Sequence, residues 1–513
     1  MILDAQDMDR ARVTGTRFDA CVIGSGPAGM TVARMLAARG HRVALMEGGG
    51  LDFTEESQDL YVGTATGLDS VELDVSRLRF FGGSSNHWHG RTRPLEAIDF
   101  EPRPYAPLSG WPITKADLDP YQAGADDILD ITSPVTPDMP VPGPEPAEGD
   151  PFRRITWRRS PPTRLAPKYQ DEIAASETLT LVLNANLVDL RLNAALDSVT
   201  GAVFKSFQPG DPGFTIEAAC YCLCLGGLEN PRALLNFRSQ IPEGIGNRTG
   251  LVGRHFHDHV AIEVADILLT EPLETNEVSY APTKAFQDAH QSLNMAFMVT
   301  PRAPTDNSLV KQLIRTAECA TPAIQRLVEE YRDTTLKCRA GGLTELWVQR
   351  DPDNHPSGFI WVASEQPLVA ESRVFLNDET DAFGQNRITL DWRLDEAYYA
   401  HVREATIALG GVLAEQGVGR ILVRNWLFDE NPVLPRRAEN VGEIDGLHHM
   451  GTTRMATDPA RGVVDADCRV HGIDNLYIGG SSVFPTGGYA NPTYTIVQMA
   501  LRLADHLDRE LRA

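Results

Sequence analysis

The sequence predicts an α/β protein built on a parallel, nucleotide-binding sheet. Phe18 to Glu47 reads FDACVIGSGPAGMTVARMLAARGHRVALME: an apolar strand, a glycine turn, an Ala- and Leu-rich helix and a second apolar strand, which together make a complete βαβ unit. Gly24, Gly26 and Gly29 fill the pattern G-x-G-x-x-G directly after the first strand, and an acid, Glu47, closes the second. At 513 residues the chain exceeds what one core usually supports, so a second domain or an elaborate second lobe is expected beside this unit.

Each part of the unit has a physical reason. Gly24 makes the tight turn, Gly26 lets a pyrophosphate approach the backbone, and Gly29 allows close packing of helix on strand, while the helix N-terminus offers oriented N–H groups to the anion. Glu47 would accept from ribose hydroxyls. Downstream, PVTPDMPVPGPEPAEGDP at 134–151 is a proline-rich loop. LTLVLNANLVDLRLN and GFTIEAACYCLCLGG read as strands, and LENPRALLNF as a helix start with Pro231 in its first turn. Between 301 and 339 the apolar spacing is helical, and alternating strands follow at LTELWVQR and GFIWVASEQ, a block that reads as a lid or substrate lobe. Near the end, Leu476 to Ile478 is a strand running into Gly479, Gly480 and Ser481, and the last helix has Pro492 near its start with Asn491 as its expected N-cap.

Composition excludes several classes. A net charge of -23 argues against a nucleic-acid groove, and no stretch approaches the ~20 apolar residues of a membrane helix. Cys220, Cys222 and Cys224 alternate as small buried side chains of a strand would, without zinc-site spacing. The start, MILDAQDMDRARVTG, lacks a secretory signal, so a cytoplasmic location is expected, or a periplasmic one only by co-export with a partner. Three histidine groups remain open to reading as metal site, dyad or cofactor contact: GGSSNHWHG at 82–90, RHFHDH at 254–259 and HHMGT at 448–452. Neighbouring His448 and His449 point to opposite sides of an extended segment, so only one would face a given ligand.

The βαβ motif with Glu47, GGSS at 82–85, LVGRHFHDH at 251–259, HHMGT at 448–452 and YANPT at 489–493 together resemble, in order and spacing, the FAD-dependent glucose-methanol-choline (GMC) oxidoreductase family. The resemblance is closer to the branch with pyranose 2-oxidase and bacterial sugar or polyol dehydrogenases. It implies a Rossmann-like FAD-binding domain formed by 1–115, 175–262 and 440–513, and a discontinuous α+β substrate-binding domain formed by 116–174 and 263–439. It implies alcohol oxidation by hydride transfer to flavin N5, with His448 as base and Asn491 hydrogen-bonding the same oxygen. Cofactor contacts carried over are Gly24, Gly26, Gly29, Glu47, Gly82, Gly83, Ser84, Ser85, His87, Val188, Gly480, Asn491, Pro492 and Thr493, with no metal. His87 falls where some relatives bond covalently to the flavin, and both the bonded and the noncovalent arrangement stay open. RHFHDH, which contains His255, His257 and His259, has a structural counterpart in the family. Glu365 and Gln366 are weighed as pocket-lining residues without a catalytic role, and Trp88, Trp111 and Tyr489 as aromatic contributors to a sugar site. Oxygen or another electron acceptor, including a small subunit or cytochrome, would take the electrons. The alternatives are oxidation of aryl or primary alcohols, a lyase of the same fold, a non-catalytic flavoprotein and an NAD enzyme.

Overall fold

The structure is a computed structural model, and it describes all residues except 69–71, 134–148, 274, 276, 303–355, 431, 433 and 435–445. The proline-rich loop up to residue 148, the 301–339 helical block beyond its first residues, and LTELWVQR lie outside the described residues.

The βαβ unit is present as strand Arg17–Ile23, helix Pro27–Ala38 and strand Val43–Met46. Around it a parallel sheet runs in the order Ile2–Asp4, Leu179–Leu183, Val43–Met46, Arg17–Ile23, Phe214–Leu223, Leu476–Ile478. Such strands are covered on both faces, which is why they read as continuous apolar runs. Cys220, Cys222 and Cys224 are all buried here, and none is disulfide-bonded. Phe214–Leu223 is long enough to serve two partners. Its second half pairs with Arg17–Ile23, and its start pairs antiparallel with Val199–Lys205, which in turn pairs with Asn186–Leu192.

A second sheet is wholly antiparallel, in the order Gly419–Val423, Val260–Leu269, Ser357–Ser364, Met295–Pro301, Val278–Pro282, Phe152–Ile155. GFIWVASEQ forms its Ser357–Ser364 strand and alternates regularly: Ile360 and Val362 are buried in the core beneath helix Ala397–Glu415, while Phe359 and Trp361 are half-buried on the other face. The two sheets have separate cores. The segment 116–131 and helix Leu165–Ala175 fall outside the first domain in the sequence reading, yet Leu118, Ile128, Tyr169 and Ile173 pack into the first core because these segments lie against the terminal and glycine-turn helices.

Two local readings are corrected. The helix predicted to begin near Pro231 starts at Gly226, so Pro231 sits inside it rather than in its first turn. Proline there supplies no N–H to the carbonyl four residues back, that of Gly227. The terminal helix, Thr493–Arg512, has Pro492 at its N-cap position and no side-chain cap, so Asn491 is free for another partner.

Candidate active site

The histidine segments converge because the backbone brings them into register. His257 and Met450 form an antiparallel bridge, and the Gly446 N–H donates to the His259 carbonyl at 2.8 Å. On the other side, Thr453 and Met455 donate to the carbonyls of Ser482 and Val483. Segment 446–455 is thus laced between the start of one antiparallel strand and the loop that follows the last parallel one. Thr452 adds a pin: its hydroxyl donates at 2.6 Å to the Gly227 carbonyl, the same carbonyl that Pro231 leaves without a helical partner. A side chain at Gly227 would strike the His449 carbonyl at 2.2 Å, so this helix docks here only through glycine.

Asp258 ties the histidines together. Its carboxylate accepts from the His448 N–H, with both oxygens at 3.0 Å, and from the His259 N–H at 2.6 Å. Gln366 accepts from the Asp258 N–H and from the Trp392 indole, so it supports this carboxylate, while Glu365 is buried against Arg103 and the Asn294 N–H.

The side chains then meet. His448 Nδ1 lies 2.9 Å from His259 Nδ1, and His448 Nε2 lies 3.2 Å from the Asn491 amide nitrogen. His259 Nε2 lies 3.2 Å from the Gly487 carbonyl oxygen. His449 turns away, its ring near Phe256 with centroids 5.9 Å apart. Burial holds all these rings neutral at ordinary pH. It lowers His448 well below the usual imidazole range, helped by His259 and His449; His259 falls to about 4 and His449 to about 3, the latter with a contribution from Arg77. His255 and His257 are likewise lowered, to about 4 and about 3. Among the described residues no group of three or more His, Cys, Asp or Glu is placed to hold a metal.

The glycine turn fits a dinucleotide. A Cβ at Gly29 would lie 1.8 Å from the Gly24 carbonyl oxygen, and one at Gly24, where φ is +102°, would lie 2.5 Å from the Cys224 carbonyl oxygen. Gly26 and Gly480 instead face open space, as backbone that a ligand approaches must. Gly83 stacks on Gly26, with 3.2 Å from its would-be Cβ to the Gly26 Cα, so the GGSS loop covers the turn. Glu47 is buried and accepts from the Ser25 N–H and hydroxyl and from the Gly49 N–H. A cleft opens beside it, lined by Ile23, Met46, Gly48, Ala185, Asn186 and Leu187 among others. Val188, expected among the contacts, is not in that lining; its strand neighbours are.

Ser85 is buried, donates to the Gly82 carbonyl and accepts from the Leu165 N–H, and the Ser84 hydroxyl accepts from the Leu78 N–H. His87 ends the 3₁₀ turn Gly83–Asn86, half-buried, its imidazole lowered by burial and by Arg164 and His89. Pro492 and Thr493 sit at the start of the terminal helix. Of the aromatic residues, Trp111 is buried and bonded to Thr486, Tyr489 is buried with its hydroxyl on Glu96, and Trp88 donates to the Thr163 carbonyl. Each is held structurally.

A family model described as GMC oxidoreductase matches residues 369–500, the segment that contains both His448 and Asn491. Over that segment the chain is similar to the GMC oxidoreductases. Relatives extend over its whole length. The 2-methyl-1,2-propanediol dehydrogenase of Mycolicibacterium austroafricanum is 23% identical over 96% of this chain and 95% of that protein. The 6'''-hydroxyparomomycin C oxidase of Streptomyces lividus is 25% identical over 96% of this chain and 92% of that protein. The crystal structure of pyridoxine 4-oxidase from Mesorbium loti superposes with a TM-score of 0.58 at 16% identity, covering 96% of this chain and 99% of that one, which establishes the shared fold. The similarity to GMC oxidoreductases implies FAD, and the glycine cradle suits a dinucleotide. No helix among the described residues is long and apolar enough to cross a membrane.

The contact of His259 with His448 is the one that sequence reasoning misses: His259 reads as part of a segment with His255 and His257, and its partner lies 189 residues away, so no local pattern marks it.

Proposed function

We propose that this chain oxidises an alcohol carbon of a sugar, glycoside or polyol with FAD, and that His448 is the base. The observation that carries this is the pairing of a neutral imidazole with an amide: His448 Nε2 faces the Asn491 side chain at 3.2 Å. Bound FAD would supply the hydride acceptor; the protein supplies proton handling and position. His448 takes the hydroxyl proton at Nε2, because burial keeps that ring unprotonated and ready. The Asn491 amide holds the same oxygen without competing for its proton. Gly24, Gly26, Gly29 and Glu47 hold the cofactor, with Gly83 closing over the turn. The diol and paromomycin names of the two long relatives support a polyhydroxylated substrate.

The test is anaerobic reduction of the FAD-loaded enzyme with a panel of sugars, glycosides, polyols and aryl alcohols, followed by oxygen uptake or dye reduction to read the acceptor. A sugar or polyol should bleach the flavin. His448→Ala should slow that reduction about 10²–10⁴-fold while FAD stays bound. Unchanged reduction removes the base assignment, and bleaching by aryl alcohols alone overturns the substrate class.

His87 is read here as a noncovalent neighbour of the cofactor. Among the described residues no hydrogen bond orients its ring; only its backbone N–H is engaged, with the Ser84 carbonyl. Acid precipitation should release all yellow colour into the supernatant. Colour retained in the pellet would establish a covalent link.

A further inference from the structure

We propose that His259 is a positioning residue for the oxidation: it fixes His448 in the tautomer whose Nε2 carries the lone pair, and it steadies that ring when Nε2 takes a proton. This rests on the reading of His448 as base.

The inference follows from one atom that can only accept. The Gly487 carbonyl oxygen lies 3.2 Å from His259 Nε2, so that nitrogen carries the ring hydrogen and donates. A neutral imidazole has one N–H, and burial keeps His259 neutral, lowering it to about 4. Its Nδ1 is therefore an acceptor. Among the described residues the hydrogen-bond partner of that acceptor is His448 Nδ1 at 2.9 Å, so His448 Nδ1 bears the hydrogen and donates. The lone pair of His448 is left on Nε2, where the Asn491 amide N–H meets it at 3.2 Å. The polarity of the whole row is thus set from one end: Gly487 carbonyl, His259, His448, Asn491.

The row is also held mechanically. Asp258 clamps the backbone N–H groups of both histidines, at 2.6 Å for His259 and 3.0 Å for His448, so the rings are presented to each other from a shared carboxylate. A Cβ at Gly487 would meet the Met450 methyl at 2.6 Å and His259 Nε2 at 3.1 Å, so the bare Gly487 backbone packs directly against the imidazole. When Nε2 of His448 accepts the hydroxyl proton, the ring becomes an imidazolium whose Nδ1–H already points at a neutral acceptor. No second proton moves, and the hydrogen bond becomes charge-assisted, roughly twice as strong as a neutral one. An arrangement of this kind does for His448 what a carboxylate does for the histidine of a hydrolase triad, without adding a negative charge.

The experiment uses FAD-loaded enzyme with ¹⁵N-labelled histidine rings, the His448 signals being identified by their loss in His448→Asn. In the wild type, His448 should be protonated at Nδ1 and bare at Nε2. His259→Phe removes the acceptor and should give a mixed or inverted tautomer, with flavin reduction slowed at least about tenfold and FAD content unchanged. His259→Gln offers a side-chain oxygen to the same N–H and should restore both the tautomer and most of the rate. The proposal is overturned by a wild-type His448 protonated at Nε2, by an unchanged tautomer in His259→Phe, or by equal losses in the Phe and Gln variants. Because the first of these needs no His259 variant, misfolding of His259→Phe leaves the test intact. If His448→Ala abolishes reduction while His259→Phe reduces at the full rate, only the role of His259 falls; if His448→Ala still reduces, the base assignment itself is lost.

Discussion

Buried neutral histidines set how this protein responds to acid. His255, His257, His259 and His449 are lowered from 6.5 to between about 3 and about 4, chiefly by burial. In the unfolded chain they would titrate normally, so between those values and 6.5 the unfolded state binds more protons and folding stability rises with pH. Asp99 works in the opposite sense. Burial and the charges of Glu96 and Glu365 raise it from 3.8 to about 7, so the native state holds its proton longer, and that contribution is lost as pH rises through about 7. Four histidines outweigh one carboxyl. Each contributes up to roughly 1.4 kcal/mol per pH unit within its window. Thermal melting followed from pH 8 downwards should therefore fall steeply between about pH 6.5 and 4 and change little above that range. A melting temperature flat across that interval would show that these rings are solvated.

At the scale of elements, what the sequence reveals depends on how local the signal is. The βαβ unit was legible because its glycines, its helix and its two strands lie within one continuous stretch, each residue constrained by its near neighbours. His448 and Asn491 were legible as motif positions, and the structure brings them to 3.2 Å. Contacts made across the chain were not. Asn491 looked like a helix cap because the residue before a proline at a helix start usually is one, yet its side chain is turned to His448 instead. Ser85 ties its loop to the Leu165 N–H across about 80 residues, a contact that no local pattern marks. Pro231 signalled a helix start by propensity. The structure accepts it within the helix because the carbonyl it leaves unpaired is taken by Thr452, a residue more than 200 positions later that belongs to the histidine segment. An apparent defect of one element is thus the docking point of another.

Over the whole molecule, the two cores are joined by buried polar contacts that pass beside the site. Glu365, at the end of the Ser357–Ser364 strand of the second sheet, forms a bidentate ion pair with Arg103, which follows the short helix Ala97–Phe100 packed in the first core. The same carboxylate accepts from the Asn294 N–H at 2.7 Å, and the Asn294 side chain donates to Asp99 at 2.7 Å. Asp99 in turn supports the loop leading to Asn491: its carbonyl accepts from the Thr486 hydroxyl, and its carboxyl fills the space that a side chain at Gly488 would need. Glu365→Gln leaves the Arg103 charge buried without its counter-charge, a loss worth about 3–5 kcal/mol for a buried pair broken from one side. Melting of the FAD-loaded protein should drop clearly in Glu365→Gln, and flavin reduction should slow with it because the Asn491 loop loses an anchor. Glu101→Gln, which breaks the exposed pair with Lys284, should alter neither. A Glu365→Gln protein that melts with the wild type would mean that the two cores are held together elsewhere. One that melts early but reduces its flavin at full rate would separate the stability of this tie from the placement of Asn491.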